Sequence, residues 1–354
     1  MPIPTEPIGS IPRPAELQQA MAAHAAGNLG DKELRALQQE VVRETIQRFE
    51  ATGSPVITDG EQTKPSFISY PLAGLTNLAA DGVVIPFADG HTRQLPKLAG
   101  GPFRYATHAD TYTREAKKLA TRPVKQAVIA ASAISLIYPQ EGLEGYSRDQ
   151  FVADLVAEAQ KDIRGALDAG AHNVQVDFTE GRLSVKLDPS KGLLRSFIDL
   201  NNQVLDGFSD ADRSRLGVHT CPGGDQDSTH SADVDYADLL PDLFRLNVGN
   251  VYVQMASEKD RPRVLQIIKD AVRPGQRVFV GVTDPIDPRV ESPEEVRDRV
   301  LEAAEYLGPD QLGTGDDCGF SPFGDDTSTS RDTAFEKVRN RVEGTQMASE
   351  KLGL

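Results

Sequence analysis

Several common features are scarce or missing in this chain of 354 residues. It contains two cysteines and no tryptophan, and its acidic residues outnumber its basic ones to give a formal net charge of −15. No apolar run approaches the roughly 20 residues that a membrane-spanning helix needs, so we expect no membrane anchor. Nucleic-acid binding requires a basic surface for the phosphates, and the acidic balance argues against such a partner.

A secretory signal is also missing from the sequence. The N-terminus, MPIPTEPIGSIPRP, shows neither the basic segment nor the apolar stretch that such a signal contains. We therefore expect a cytoplasmic protein in which the thiols stay reduced. A disulfide between Cys221 and Cys318 is the alternative that the sequence leaves open.

Both cysteines stand where a metal ion could use them. Cys221 ends the segment RLGVHTC, in which His219 comes two residues earlier, and Cys318 lies much later in GTGDDCGF. Side chains at i and i+2 of an extended segment point the same way, so His219 and Cys221 can converge on one ion. Zn²⁺ accepts nitrogen and sulfur ligands, and a catalytic zinc site uses three protein ligands and an open position. The alternative is that both cysteines are small buried hydrophobic residues.

The rest of the sequence alternates amphipathic helices with short apolar strands. One example is DKELRALQQEVVRETIQRFEATG, where helical periodicity ends at a glycine and SPVITDGE follows. Strands rich in valine and isoleucine that alternate with helices predict parallel βα units. About seven or eight such units favour a barrel over an open sheet, and no dinucleotide-binding glycine motif follows the first strand. We expect an α/β fold, a single (β/α)8 TIM barrel domain over residues 1–354 with an N-terminal extension.

One segment of about residues 74–106 interrupts this alternation. It begins GLTNLAADGVVIPFADG, where short apolar stretches are separated by glycine and aspartate, residues that favour turns. The pattern indicates a hairpin-like insertion after the first strand.

Polar residues collect at the ends of the predicted strands, where barrels of this kind place their active sites. Aspartate and glutamate also cap helices, so each acidic residue alone is weak evidence, but together with both cysteines they predict one site. The other histidines fall in helices, loops or the insertion and are expected at the surface or in the core: His24, His91, His108, His172 and His230. The strand-end set is Asp59, Glu61, Asp177, His219, Cys221, Gln254, Asp284 and Cys318.

These residues resemble those of the cobalamin-independent methionine synthase family, in its C-terminal catalytic barrel and its single-barrel relatives. The resemblance covers nearly the whole chain. His219-x-Cys221 and Asp317-Cys318-Gly319 are similar to the zinc-binding segments of the family, which implies Zn²⁺ as the cofactor.

The resemblance also implies residues that bind the substrate. The segment of Ile8, Gly9 and Ser10 is similar to the family's Ile-Gly-Ser segment, which contacts the amino-acid thiol. Glu61, in Asp-Gly-Glu, and Asp177, in Gln-Val-Asp, resemble residues that would hold the substrate ammonium group.

The chain departs from the family pattern at three places. Gln254 stands where the family has a glutamate that binds zinc, and Glu258 follows it as an alternative ligand. The family's histidine in Asp-Ile-His, which serves in protonation, is missing, so Asp284 and Asp287 are the candidate catalytic acids. Folate-using members stack the pterin on a tryptophan, for which Tyr138 is the substitute here.

The resemblance implies a zinc-dependent S-methyl or S-alkyl transferase of methionine biosynthesis. A small thiol such as homocysteine would be activated as a thiolate and would attack an alkyl donor. A folate, a corrinoid protein and an epoxide all remain open as the donor, and a homodimer remains open as the assembly.

Three other hypotheses about the function stay open. An epoxyalkane:coenzyme M transferase would need a cation for the sulfonate of its thiol, for which Arg13 and Arg182 are available. A metal-free decarboxylase or lyase on a barrel like that of uroporphyrinogen decarboxylase would leave both cysteines unexplained. A non-catalytic barrel with a structural zinc would require four protein ligands around the ion.

Overall fold

Six parallel strands form most of the wall of an α/β barrel in the computed structural model, which describes residues 1–354. The strands of the chain are β1 (Leu78–Ala79), β2 (Val84–Pro86), β3 (Thr92–Gln94), β4 (Lys97–Leu98), β5 (Gln126–Ile129), β6 (Val174–Asp177), β7 (Leu216–Thr220), β8 (Gly224–Asp225), β9 (Ser228–Thr229), β10 (Asn250–Val253), β11 (Arg277–Thr283) and β12 (Leu312–Asp316).

Helices connect these strands and cover the outside of the barrel. They are α1 (Ala15–Ala25), α2 (Asp31–Ala51), α3 (Asp110–Leu119), α4 (Ala131–Ser135), α5 (Arg148–Asp168), α6 (Glu180–Leu187), α7 (Gly192–Leu205), α8 (Asp210–Arg213), α9 (Tyr236–Leu243), α10 (Arg261–Ala271), α11 (Pro293–Ala304) and α12 (Arg331–Lys351), with a 3₁₀ turn at Tyr70–Leu72. None of them combines the length and the apolar character that a membrane crossing requires.

Local sequence signals explain where several helices begin. Ser147 accepts a hydrogen bond from the N–H of Gln150 at the start of α5, and the Gln150 side chain accepts one from the N–H of Ser147. Ser292 and Glu295 form the same reciprocal pair at the start of α11, with Pro293 in the first helical position. These pairs satisfy backbone donors that a helix N-terminus leaves free.

The six barrel strands lie in the order β12-β11-β10-β7-β6-β5, and every neighbouring pair is parallel. Most of their residues are buried on both faces, as in VQVD of β6 and LGVHT of β7. Parallel strands covered by helices on one face and by the barrel interior on the other are expected to be continuously apolar. The parallel βα units that the alternation predicted are therefore confirmed.

Two further segments close the barrel. Thr5 pairs in parallel with Thr314 of β12, and Ile57 pairs in parallel with Val124 ahead of β5. The two segments meet where Thr58 Oγ1 donates to the carbonyl of Gly9 at 2.7 Å. The N-terminal residues, which the sequence suggested were an extension, thus lie in the barrel wall.

An antiparallel hairpin forms the insertion predicted at about residues 74–106. Strands β2 and β3 pair with each other, and β1 pairs with β4 at the base of the hairpin. The hairpin contacts the small β8–β9 hairpin that follows β7, where the N–H of Ala88 donates to the carbonyl of Thr229 at 2.9 Å. Arg93 links the two, because its Nε and Nη2 donate to Asp225 at 2.5 and 3.1 Å and its Nη1 donates to Asp325 at 2.9 Å.

Candidate active site

His219, Cys221 and Cys318 come together at the carboxyl ends of two strands that are distant in sequence. His219 lies in β7 and Cys221 directly follows it, while Cys318 comes just after β12. One imidazole nitrogen and the two sulfur atoms all lie within 4.8 Å of one another. The sulfur atoms are 2.9 Å apart, which exceeds the length of about 2.0 Å of a disulfide bond, and both cysteines are free.

The surroundings of these residues fit a metal ion. The His219 side chain is buried, and neither of its ring nitrogens has a hydrogen-bond partner. A buried polar atom without a partner costs free energy, which coordination would offset. The hydrogen bond with Cys221 and burial both raise the pKa of the Cys318 thiol well above its ordinary value. A divalent cation would reverse this shift, because coordination deprotonates a thiol, and two sulfurs with one imidazole are a donor set that suits zinc.

Asp317, next to Cys318, fixes the loop that follows β10. Its Oδ1 accepts from the N–H groups of Met255 and Ala256, both at 2.7 Å, and its Oδ2 accepts from the N–H and the hydroxyl of Ser257, both at 2.8 Å. Burial raises the pKa of this carboxyl to about 6. Asp317 therefore holds the end of β10 close to Cys318.

Gln254 and Glu258, the other candidate ligands, have different partners in the structure. The amide oxygen of Gln254 accepts from Arg182 Nη1 at 2.7 Å and from the Tyr236 hydroxyl at 3.4 Å. Glu258 is half-buried, and its Oε1 accepts from the backbone N–H groups of the next two residues. Gln254 would have to give up Arg182 to bind an ion through this oxygen, so its role as a ligand stays a prediction.

A cavity of about 570 Å³ lies in front of the three metal-site residues. Ile8, Ser10, Glu61 and Asp177 line it, so residues that the sequence assigned to substrate binding meet beside the metal site. Gly9 lies between Ile8 and Ser10, where a side chain would come within 3.0 Å of Glu61 Oε1. Glycine at this position leaves room for the Glu61 carboxylate.

Glu61 and Asp177 place two buried carboxylates in the cavity wall. Glu61 Oε1 lies 3.5 Å from Lys64 Nζ, whereas Oε2 has no hydrogen-bond partner. Asp177 Oδ1 accepts from Gln175 Nε2 at 2.6 Å, and burial raises the pKa of this carboxyl to about 6. Buried carboxylates are costly unless they are paired, so a cationic ligand group would stabilise them.

The two candidate catalytic acids lie outside this cavity. Asp284 lines a smaller neighbouring cavity together with Asp317 and Cys318, and its Oδ1 accepts from the N–H of Ile286 at 3.0 Å. Asp287 is partly exposed, and its Oδ1 accepts from the N–H of Arg289 at 2.9 Å. The structure does not bring either aspartate to the main cavity, and their catalytic role stays a prediction.

The aromatic and cationic candidates have structural partners. Tyr138 donates to the carbonyl of Tyr146 at 2.8 Å and does not line the cavity. Arg13 donates to four backbone carbonyls, among them those of Glu61 and Lys64 at 2.7 Å. Arg182 donates to Gln254 and to two further backbone carbonyls. Neither arginine lines the main cavity.

His230 and Glu180 also line the cavity, although neither was a candidate from the sequence. His230, expected at the surface or in the core, is buried in the wall, and its Nδ1 lies 2.8 Å from Ser231 Oγ. Burial lowers the pKa of His230 to about 4, so its ring is neutral near pH 7. Glu180 is the first residue of α6 and follows Asp177 by three residues. A search that included the first helical turn after each strand would have identified it.

Comparison with known proteins assigns the chain to a family. Residues 3–346 match the family model described as the catalytic domain of cobalamin-independent synthase. The chain belongs to this family. The match confirms the resemblance seen in the sequence motifs.

Named relatives extend over almost the full chain. The methionine synthases of Sulfurisphaera tokodaii and Saccharolobus solfataricus are each 24% identical to it, over 350 and 353 residues. Each alignment covers 99% of this chain, and 94% and 96% of the respective relatives.

Solved structures confirm the barrel fold. A B12-independent methionine synthase from a Shewanella species, in complex with selenomethionine, superposes with a TM-score of 0.79 at 19% identity over 99% of both chains. A methyltransferase from Methanosarcina mazei superposes with a TM-score of 0.52 at 14% identity, over 100% of this chain and 95% of that one. At these identities the likeness concerns the fold.

Proposed function

We propose that this protein transfers a methyl group to the thiol of homocysteine, with Zn²⁺ held by His219, Cys221 and Cys318. One observation carries the proposal, namely that a buried cluster of nitrogen and sulfur donors shares a cavity with the buried carboxylates of Glu61 and Asp177. An amino acid with a thiol would bind the metal through its sulfur and the two carboxylates through its ammonium group. Family membership and the relatives named methionine synthase support the same function.

The metal would serve to activate the substrate. When bound, Zn²⁺ would lower the pKa of a substrate thiol so that the thiolate, which is the nucleophile, is present at neutral pH. The three protein ligands would leave one position open, as catalytic zinc sites do. A site closed by Gln254 would be structural instead, but the amide oxygen of Gln254 already accepts hydrogen bonds from Arg182 and Tyr236.

The carboxylates and Ser10 would orient the amino acid. Glu61 and Asp177 would bind the ammonium group through charge-assisted hydrogen bonds. Ser10 Oγ accepts from the N–H of Ser321 at 3.1 Å, which leaves its own proton free to donate to the substrate carboxylate. Fixing both groups would aim the sulfur along one direction, and such positioning is a major source of catalysis in group transfer.

The charges in the site argue against coenzyme M as the thiol substrate. A sulfonate needs a cation in the cavity, but neither Arg13 nor Arg182 lines it. Arg93 does line the main cavity, but its guanidinium already pairs with the carboxylates of Asp225 and Asp325. The family description as cobalamin-independent likewise argues against a corrinoid protein as the methyl donor.

A metal-free decarboxylase is also less well supported. It would leave the imidazole of His219 buried without a hydrogen-bond partner beside two buried thiols. A metal site explains all three residues with one ion.

The role of Asp177 provides the test of the proposal. Homocysteine and 4-mercaptobutanoate share one carbon chain and differ only in the ammonium group. In the zinc-loaded protein we expect Asp177→Asn to weaken homocysteine binding about 10- to 100-fold, because the negative charge beside the ammonium group is lost, and to change 4-mercaptobutanoate binding much less. Isothermal titration calorimetry measures both affinities.

Asp199→Asn is the matched control, since Asp199 is an exposed carboxylate on α7. It should leave the affinity for both thiols unchanged. Equal losses for the two thiols in Asp177→Asn would remove Asp177 from ammonium binding. Failure of the wild-type protein to bind homocysteine would overturn the proposed function.

A further inference from the structure

A fully buried lysine lies behind the carboxylate of Glu61. Lys64 follows Glu61 by three residues and does not line the main cavity. Its Nζ lies 3.5 Å from Glu61 Oε1 and donates to the carbonyl of Ala127 on β5 at 3.0 Å. One oxygen of the Glu61 carboxylate therefore faces a cation of the protein. The other, Oε2, is buried without a hydrogen-bond partner, and it is the oxygen that remains for a ligand.

Two aromatic rings fix the position of the Lys64 ammonium. The ring centroids of Tyr70 and Tyr112 lie 4.6 and 5.6 Å from Nζ. The Tyr70 ring is itself held, because its hydroxyl donates to the buried carboxylate of Asp162. A cation is attracted to the face of an aromatic ring, and most strongly where water is excluded. The ammonium group is thus confined between two rings, a backbone carbonyl and Glu61.

The backbone of Glu61 is held in place as well. Its φ is +57°, in the left-handed region that residues with a side chain rarely adopt, and it follows Gly60 at +67°. Arg13 Nη2 donates to the carbonyls of Glu61 and Lys64, both at 2.7 Å. Such a conformation persists only where the surroundings enforce it, and it is frequent at ligand sites. Arg13 therefore fixes the turn, and Lys64 fixes the side chain that the turn presents.

A second carboxylate lies next to Glu61. Asp59 is also buried, and its Oδ1 accepts from the N–H of Glu61 at 2.8 Å. Burial raises the pKa of the Asp59 carboxyl, and the charge of Lys64 opposes this shift. Neighbouring carboxylates that are both buried are costly to ionise unless a cation lies beside them. The Lys64 ammonium therefore stabilises negative charge at both carboxylates.

We propose that Lys64 is a positioning residue for the amino-acid substrate, because it holds Oε1 of a charged Glu61 and leaves Oε2 to receive the substrate ammonium group. The inference rests on the proposed function, in which Glu61 and Asp177 bind that group. A carboxylate has two oxygens and can accept from one cation on each. Lys64 does not line the cavity, so it acts on the substrate through Glu61. It thereby favours thiols that carry an ammonium group over thiols that lack one.

Lys64→Met tests the inference, since methionine keeps much of the apolar stem and removes the charge. Isothermal titration calorimetry on the zinc-loaded full chain measures binding of homocysteine and 4-mercaptobutanoate. We expect homocysteine to bind at least about tenfold more weakly, because Glu61 loses the cation that fixes it, and 4-mercaptobutanoate to change by less than about twofold. Lys64→Gln removes the charge in the same way and serves as the second variant if Lys64→Met does not fold.

Lys337→Met is the matched control. It removes another fully buried ammonium group, which donates to Glu291 at 3.0 Å and belongs to α12. We expect it to lower the stability of the protein but to leave the affinities for both thiols unchanged. A loss of homocysteine binding in this variant equal to that of Lys64→Met would overturn the inference, because the effect would not be specific to Lys64.

A double-mutant cycle shows whether Lys64 acts through Glu61. In a Glu61→Gln background, we expect Lys64→Met to weaken homocysteine binding by less than about twofold, because the carboxylate it positions is gone. Additive losses would overturn the inference.

The single variant has contradicting outcomes of its own. Unchanged or tighter homocysteine binding in a folded Lys64→Met, or equal losses for the two thiols, would also overturn the inference. Wild-type binding of homocysteine is measured separately, so these outcomes would reject the role of Lys64 and leave the proposed function standing.

Discussion

At the scale of single residues, the site is marked by polar atoms that burial leaves without partners. Both nitrogens of His219, Oε2 of Glu61 and Oε2 of Glu180 are buried without hydrogen bonds, and all three residues line one cavity. More than about nine in ten buried polar groups in native proteins are satisfied. Four such atoms around one cavity indicate a ligand site.

The unpaired carboxyl of Glu180 predicts a stability that depends on pH. Its pKa in the folded protein is about 8, above the ordinary value of 4.5, so folding favours the protonated form. The resulting stabilisation is complete below about pH 4.5 and is lost as the pH rises towards 8. Glu180→Gln removes this loss, so we expect its unfolding free energy relative to the wild type to rise by about 1–4 kcal/mol between pH 5 and pH 8.

Urea unfolding of the metal-free protein at the two pH values checks this prediction. Asp199→Asn, with an exposed carboxyl, should show the pH dependence of the wild type. The same difference between Glu180→Gln and the wild type at both pH values would show that Glu180 is not the group that titrates.

The sequence predicts part of the site because strand ends converge in a barrel. This rule found His219, Cys221 and Cys318, which the structure brings together. It could not predict the direction of a side chain. Asp284 follows β11, but its carboxylate accepts from the N–H of Ile286 in its own loop. Glu180 was missed because it lies beyond the strand end, in the first turn of a helix.

At the scale of elements, two hairpins cover the cavity, and Arg93 joins them. Ile85, Phe87 and Leu95 of the insertion line the cavity, as do Gly223 and Gly224 at the start of the β8–β9 hairpin. The insertion therefore covers the cavity and also places apolar side chains in its wall.

Replacing Arg93 should loosen both hairpins. Arg93→Ala leaves the buried carboxylate of Asp225 with the His91 ring, at 3.1 Å, as its remaining side-chain partner. Removal of one partner from a buried ion pair is strongly destabilising, because the other charge stays buried. We expect amide hydrogen exchange in residues 84–94 and 224–229 to accelerate about tenfold or more, as measured by mass spectrometry.

Lys97→Ala is the matched control on the same insertion. Lys97 pairs with the exposed carboxylates of Asp81 and Glu141 at 2.9 and 3.3 Å, and such surface pairs contribute little. Exchange in residues 224–229 should stay at the wild-type rate. Equal acceleration of this segment in both variants would contradict the bridging role of Arg93.

At the scale of the whole molecule, the N-terminal segment holds the barrel closed from the inside. Glu6 accepts from the hydroxyl of Tyr252 at 2.6 Å and from Asn173 Nδ2 at 2.8 Å, and its Oε2 lies 3.5 Å from Lys125 Nζ. All four side chains are buried. Strand β10 and the residues directly before β5 and β6 are thereby tied to the start of the chain. We propose that residues 1–354 fold as one domain.

Loss of the Glu6 charge should destabilise the barrel. Glu6→Gln leaves the ammonium of Lys125 buried without its acidic partner, and we expect the unfolding free energy at pH 7 to fall by about 2–4 kcal/mol. Glu16→Gln, at an exposed position of α1, should change it by less than about 0.5 kcal/mol. Urea unfolding measures both, and equal effects would show that the N-terminal network does not support the barrel.

Much of the architecture follows from the alternation of helices and apolar strands. Five of the six strands of the sheet lie in apolar runs such as RVFVGVT and NVYV, whereas β12 reads LGTGD. The N-terminal strand was missed because PIPTEPIGS contains three prolines, which cannot donate to a strand ladder, and it makes a single bridge at Thr5. The segment lies in the wall because Thr314 and Thr58 hydrogen-bond with it, and these contacts form only in the folded barrel.

Activation of the thiol by zinc is tested by the metal content of the purified protein, combined with X-ray absorption at the zinc edge. We predict about one zinc per chain, bound by two sulfurs and by nitrogen, and a gain of one sulfur when homocysteine is added. Cys318→Ser should lose zinc while its circular dichroism stays that of a folded barrel. Absence of zinc after expression with added metal, or a spectrum that homocysteine does not change, would contradict the activation of homocysteine by zinc.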